Sequence, residues 1–224
     1  MSKRVPAHAG GPSAVEYQPA DANPSPHNPG SRRVQSVVRS IKEKKVSHLE
    51  PKAEVMVDYP YKQTEPPIRN ARALDWSEIV KLLTSPSGTS WLSTVSAEGQ
   101  VHSTPIGAFF INETYYFTSG QGTRKRTNLD QNPSCTICIH AGDYDIVAEG
   151  TAAITRDEAK VERFAAFCRS IGWPVEARGS TLDAPYHAPT TGPAPYDIYE
   201  MTLRKVFALG ITDDGTSHCT RFIF

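Results

Sequence analysis

A chain of 224 residues with 24 Lys and Arg against 24 Asp and Glu has no formal net charge, so no global field recruits nucleic acid or a membrane surface. The length suits one domain plus a tail, long enough to bury roughly 70% of the surface that the unfolded chain exposes. Cys135, Cys138, Cys168 and Cys219 are too few and too scattered for a disulfide scaffold. No apolar stretch approaches membrane-spanning length, and the first residues lack the apolar core of a secretory signal, which predicts a cytoplasmic protein.

Residues 1–30 hold six of the 18 prolines among Gly, Ala, Ser and Asn, with almost no large apolar side chains. Such a segment has too little to bury against its ordering entropy and reads as a disordered tail. Residues 31–72 read as a basic helix and linker. Val34, Val37, Val38 and Ile41 form an apolar stripe among cations, which fits a helix docked on the body better than a nucleic-acid contact. Residues 73–224 form the folded domain.

Asp75-Trp76-Ser77-Glu78 has capping-box spacing and opens a helix through Ile79, Leu82 and Leu83, ended by Ser85-Pro86-Ser87-Gly88. The period then changes to two. Trp91 to Val95 and Val101 to Phe110 read as strands joined by Ala97-Glu98-Gly99-Gln100, and Asn112-Glu113-Thr114 turns the chain into a strand over Tyr115 to Ser119. A short helix over Arg124 to Gln131 stops before Asn132-Pro133. Strands over Cys135 to His140 and Asp145 to Ile154 follow, the second bent at Gly150. Cys135 and Cys138, three apart on a strand, point to opposite faces, so they read as buried thiols rather than as a metal pair.

Asp157 caps a helix carrying Val161, Phe164, Ala165, Phe167 and Cys168, and a Pro- and Gly-rich excursion from Gly172 to Pro195 reads as a lid or an interface arm. Tyr196 to Leu203, Lys205 to Gly210 and Ser217 to Phe224 supply the last strands. The sum is an α+β fold, a six-stranded antiparallel barrel with short flanking helices.

The stretch with the most chemical content is Thr118-Ser-Gly-Gln-Gly-Thr-Arg-Lys-Arg-Thr-Asn-Leu129. Gly120 and Gly122 permit unusual backbone angles, Thr123 caps a helix whose N-terminus is electropositive, and Arg124 and Lys125 add a guanidinium fork and a mobile point charge. Together they suit a phosphate on a cofactor. The histidines His102, His140, His187 and His218 stand in separate elements without ligand spacing, so no metal site is expected. His187, on the Pro-rich arm with Tyr186, is the best placed of them to touch a substrate.

Four patches give the chain a family likeness: His102-Ser103-Thr104-Pro105, then Phe117-Thr118-Ser119 with Thr123-Arg124-Lys125 and Asn128-Leu129, then Glu149-Gly150-Thr151-Ala152, then Tyr196 to Glu200 with Thr220-Arg221-Phe222-Ile223-Phe224. In this order they resemble the pyridoxamine 5'-phosphate oxidase-like FMN-binding split barrels, the flavin and deazaflavin oxidoreductases, and the ending resembles the branch that uses coenzyme F-420. The resemblance implies a six-stranded split barrel, a homodimer with FMN or F-420 in an intersubunit groove, hydride transfer to a small-molecule substrate, and no nucleic-acid or membrane partner. It places the phosphate at Thr123, Arg124 and Lys125, and the ring along Ser103, Thr104 and Pro105 with Thr118 and Ser119 nearby. Arg221 is either a second anion contact or an ion-pair partner. Where many relatives have Arg before the Asn-Leu pair this chain has Thr127, and Arg126 stands one residue earlier, rotated by about 100° on a helix and turned toward solvent. The alternative is a split barrel that carries or sequesters a cofactor or haem without catalysis.

Overall fold

The computed structural model describes residues 48–56, 72–84, 88–210 and 219–224. The expected tail, the expected basic helix over 31–46 and residues 211–218, with the start of the strand expected from Ser217, lie outside them. Eleven strands form one antiparallel sheet: β1 (Lys52–Val55), β2 (Ser90–Val95), β3 (Val101–Ile106), β4 (Ala108–Ile111), β5 (Thr114–Gly120), β6 (Ser134–Ala141), β7 (Tyr144–Ile154), β8 (Glu176–Arg178), β9 (Thr181–Asp183), β10 (Tyr196–Gly210) and β11 (Thr220–Ile223). Among the described residues three helices accompany them: α1 (Trp76–Thr84), α2 (Arg124–Gln131) and α3 (Glu158–Ser170).

The α+β class holds, and the strand number is corrected from six to eleven among the described residues. Gly107 breaks the expected Val101–Phe110 run into β3 and β4. The Pro-rich excursion contains a hairpin, β8–β9, and the linker contributes β1 against β11.

The hydrogen-bonded path β3-β2-β6-β7-β10-β5-β4 has β3 at one end and β4 at the other. Even so, Leu92 of β2 and Phe110 of β4 belong to one core with Ile137, Ala148, Met201 and Phe222. Residues from strands near both ends meet only if the sheet curls, so the inward faces enclose a barrel core. Strand β10 is continuous where the sequence suggested two strands. Its register against β7 shifts between Leu203 and Lys205, leaving Arg204 as a bulge whose carbonyl accepts from the Phe224 amide at 3.1 Å. Gly150 faces this bend, and a Cβ there would stand 2.1 Å from the Thr202 carbonyl oxygen. The bend lets one strand pair with β5 in its first half and with β11 in its second.

Helix α1 opens with half of the expected capping box: the Glu78 carboxylate accepts from the Asp75 amide at 2.8 Å. Its Ile79 and Leu83 are buried, and Trp76 packs edge-on against Phe110 and Phe224. Helix α3 is capped by Asp157, whose carboxylate accepts from the Ala159 and Lys160 amides. Its apolar face builds a second cluster with Phe109, Tyr116, Leu182 and Ile198. The alternation Phe109 out, Phe110 in therefore divides the two residues between two cores. Phe109, Phe110 and Tyr115 are covered by α1 and α3 of the same chain.

The β4–β5 turn gathers a distant segment. Asn112 and Glu113 both have positive φ, and the Glu113 carboxylate accepts from the Trp76 indole at 3.0 Å and from the Leu49 amide at 2.8 Å, with the His48 ring at 2.9 Å. Burial alone raises a carboxyl's pKa; these donors, Trp76 first, outweigh it and hold Glu113 below its ordinary range. Because the folded value is depressed, its contribution is present above the unfolded pKa of about 4.3 and is lost as pH falls through the lower folded value. Glu113→Ala leaves two N–H donors without their acceptor and is expected to cost about 1–3 kcal/mol, or a few degrees of melting temperature by calorimetry at pH 7. No helix among the described residues is long and apolar enough to cross a membrane.

Candidate functional site

Strand β5 ends at Gly120 and the chain turns through Gln121 and Gly122 into α2. Thr123 has extended φ and ψ of −86° and 151°, and its hydroxyl oxygen accepts from the Arg126 amide at 3.4 Å, so it is the helix cap the sequence predicts. The same hydroxyl donates to the Gly120 carbonyl at 3.1 Å and lies 2.5 Å from Ser119 Oγ. The short turn is thus fixed by its own side chains, and the space beside Gly122 is open, since a Cβ there would meet nothing within 4 Å.

The three cations that follow differ sharply. Arg124 is exposed and has no partner among the described residues. Lys125 is only 2% exposed, and its ammonium donates to the Thr190 carbonyl. Burial lowers its pKa. Lys125 is thus a held, buried group rather than a mobile point charge. Arg126 pairs with Asp130 at 2.9 Å on its own helix and with Asp197 on β10. It faces a buried carboxylate rather than solvent, which is a different reason for its being unavailable to a ligand. Asp197 is fully buried and also receives Arg156 at 3.1 Å.

After β8–β9 the Pro-rich arm crosses this turn. Thr190 Oγ1 donates to the Pro105 carbonyl at 2.9 Å, and the Gly120 amide donates to the Thr191 carbonyl at 2.8 Å. Gly192 passes so close that a Cβ would stand 3.0 Å from Thr123 Cγ2. One segment of the arm thereby straps β3, β5 and α2 together. His187 lies on the exposed stretch just before it, with its ring Nδ1 3.1 Å from the Ala188 carbonyl.

The remaining expected site residues scatter by strand alternation. Ser103 and Pro105 point to the outer face of β3, where Ser103 Oγ meets Ser93 Oγ at 2.7 Å, while Thr104 points inward and is buried. Ser119 shares a face with Asp197 beside α2; Thr118 shares one with Ile198 in the second cluster under α3. Arg221 is ion-paired to Glu54, its partner in β1. Glu54 is held down to about 2, first by Lys52 and then by Arg221. The structure therefore gathers Ser119, Thr123, Arg124, Lys125 and the Pro105 carbonyl, separates Thr118 and Arg221 from them, and buries Thr104 on the face of β3 that it shares with His102.

Two residues beside the turn were not singled out as site residues. His102 has a buried Nδ1 without a hydrogen-bond partner among the described residues. Burial first, then the charges of Arg124 and Lys125, lower its pKa, so it sits within the field of the turn. Asp197 is the anchor of Arg126, and a carboxylate between the buried Tyr196 and Ile198 is a legible sign of an internal ion pair. Cys135 points into the core and Cys138 to the outer face, and burial pushes the Cys135 thiol up to about 12.

Solved structures with likeness to this chain include a pyridoxamine 5'-phosphate oxidase-related, FMN-binding protein from Nostoc punctiforme, at 14% identity over 66% of this chain and 94% of that one, TM-score 0.41. They include an F-420 reductase, at 16% identity over 56% and 93%, TM-score 0.41. A heme binding protein from Mycobacterium smegmatis matches at 14% identity over 62% and 56%, TM-score 0.47. A search of curated protein sequences finds no match. The model of the family described as pyridoxamine 5'-phosphate oxidase matches residues 76–209, which span the barrel from α1 to the end of β10, and the chain belongs to that family.

Proposed function

We propose that the protein is an oxidoreductase that binds FMN or coenzyme F-420 with the cofactor phosphate at the N-terminus of α2. The observation that carries this reading is Arg124: an exposed guanidinium without an internal partner, at the open end of a capped helix that supplies free amides and a partial positive charge. The residues fit the group in part. Arg124 and the first amides of α2 are available, whereas Lys125 and the Gly120 amide already serve carbonyls of the arm. Arg124 is therefore the principal phosphate contact, and Lys125 joins it only when Thr190 gives way.

The isoalloxazine or deazaflavin ring, when bound, supplies the hydride chemistry. The chain's part is to orient the ring along the outer face of β3, where Ser103 offers a hydroxyl and Pro105 a flat apolar surface. Purified protein titrated with FMN and with F-420, followed by absorbance and fluorescence, tests the reading; saturable binding of one of them is expected, and binding of neither overturns it. The sequestering alternative has one feature in its favour, the unpartnered Nδ1 of His102. An intense Soret band on adding haem, with no response to flavin, would select it.

We also propose a homodimer, and the supporting surface is the outer face of the sheet rather than Phe109, Phe110 and Tyr115. Register places Pro105, Trp91, Cys138, Val147 and Phe207 in one row across five strands, with Trp91 48% exposed. An apolar row of this length on a folded surface needs cover. Trp91→Glu is expected to convert dimer to monomer in light scattering with the fold retained; an unchanged mass would remove this face from the interface.

A further inference from the structure

On the other side of β5 from the phosphate turn, a pocket of about 220 Å³ opens between the β4–β5 turn and α3. Lys160, Arg163, Phe164 and Phe167 reach it from one helical face, at spacing i, i+3, i+4, i+7. Ile111, Asn112 and Tyr116 close it from the sheet. Its apolar part is aromatic: the Tyr116 ring stacks on Phe164 at 5.6 Å, and Phe164 lies 6.3 Å from Phe167.

Its polar part is uncommitted. The Tyr116 hydroxyl, the Asn112 amide and the Arg163 guanidinium have no hydrogen-bond or ion-pair partner among the described residues. Lys160 differs, since Glu200 holds it at 3.0 and 2.8 Å. Burial first, then the charge of Glu200, push the Tyr116 phenol up to about 12, so it remains a donor at neutral pH. Two cations and one carboxylate leave a single positive charge. The exposed Arg163 and Asn112 stand beside the half-buried Tyr116 hydroxyl, above the thin rims that Phe164 and Phe167, 4% and 7% exposed, leave open; one free guanidinium fork matches one carboxylate, and the rims admit the edge of an apolar body. The volume lies below the roughly 300–1,000 Å³ of sites for drug-sized ligands.

We infer that this pocket is a binding site for a small monocarboxylate with an aromatic body, held by Arg163, Tyr116 and Asn112 over Phe164 and Phe167. The site is independent of the phosphate turn, because Tyr116 and Ser119 project from opposite faces of β5.

Isothermal titration of the full chain with benzoate, and with benzamide as its neutral counterpart, tests it. Benzoate is expected to bind saturably and at least about tenfold more tightly than benzamide, a difference of about 1.4 kcal/mol. Arg163→Gln is expected to abolish most of that preference while leaving the melting temperature and FMN affinity unchanged, since Arg163 is exposed and unpaired. Tyr116→Phe, which keeps the stacked ring, is expected to weaken benzoate several-fold. The inference is overturned if benzoate shows no saturable binding, if benzamide binds equally well, or if Arg163→Gln binds benzoate like the parent. Displacement of benzoate by inorganic phosphate at equal concentration would overturn the monocarboxylate assignment.

Discussion

Arg124→Ala is expected to weaken the binding of FMN or F-420 by at least tenfold and to leave the melting temperature unchanged. A charge-assisted contact to a phosphate contributes about 1.5–3 kcal/mol, and tenfold corresponds to about 1.4 kcal/mol. Stability is indifferent to the change because Arg124 is exposed and engages nothing else among the described residues. Lys125→Met is expected to have a smaller effect on affinity, since its ammonium is buried against Thr190. Equal losses at the two positions would mean that the arm leaves the turn when the cofactor binds. Fluorescence titration of both variants checks the ordering.

Arg126→Ala combined with Arg156→Ala is expected to do the reverse: a large loss of stability with cofactor affinity nearly retained in the folded fraction. Asp197 is fully buried, and among the described residues its charged partners are these two arginines. Removing them leaves an uncompensated buried carboxylate, at a cost of about 3–5 kcal/mol. For a chain of this size that is roughly 6–20 °C in melting temperature. Arg126→Ala alone is milder because Arg156 remains. Adding Asp197→Asn to the double variant is expected to restore part of the loss, since the uncharged amide needs less compensation. Calorimetry on the three proteins decides the matter, and an unchanged melting temperature in the double variant would contradict the buried ion-pair role.

The elements set by short-range signals were legible from the sequence. The run of α2 over Arg124 to Gln131, its Thr123 cap, the Asp157 cap and the opposite faces of Cys135 and Cys138 follow from capping chemistry and the two-residue strand period. What depended on partners far along the chain was not. Lys125 carries no sign of Thr190 sixty-five residues away, so its burial is visible only once the arm is folded across the turn. In the sequence β10 reads as two strands divided at Arg204, because a bulge interrupts the alternation as a turn would, and its pairing with β7 shows that the strand continues. Residues adjacent in a motif, such as Thr118 and Ser119, read as neighbours at one ring, yet alternation turns Thr118 toward the cluster under α3 and Ser119 toward Asp197 beside α2. The motif identified the turn well and its individual contacts poorly, because motif spacing does not record which groups the rest of the fold has already engaged.

The central claim, that the N-terminus of α2 with Arg124 holds the phosphate of a flavin-type cofactor, is tested most directly by comparing FMN with riboflavin, which has the same ring and side chain but no phosphate. Titration of the purified protein with each, and in parallel with F-420 and its phosphate-free deazaflavin core, isolates the phosphate's contribution. The account predicts that one phosphorylated form binds at least about tenfold more tightly than its phosphate-free counterpart and that Arg124→Ala removes most of the difference. Equal affinities within both pairs, or a phosphate preference untouched by Arg124→Ala, would contradict it.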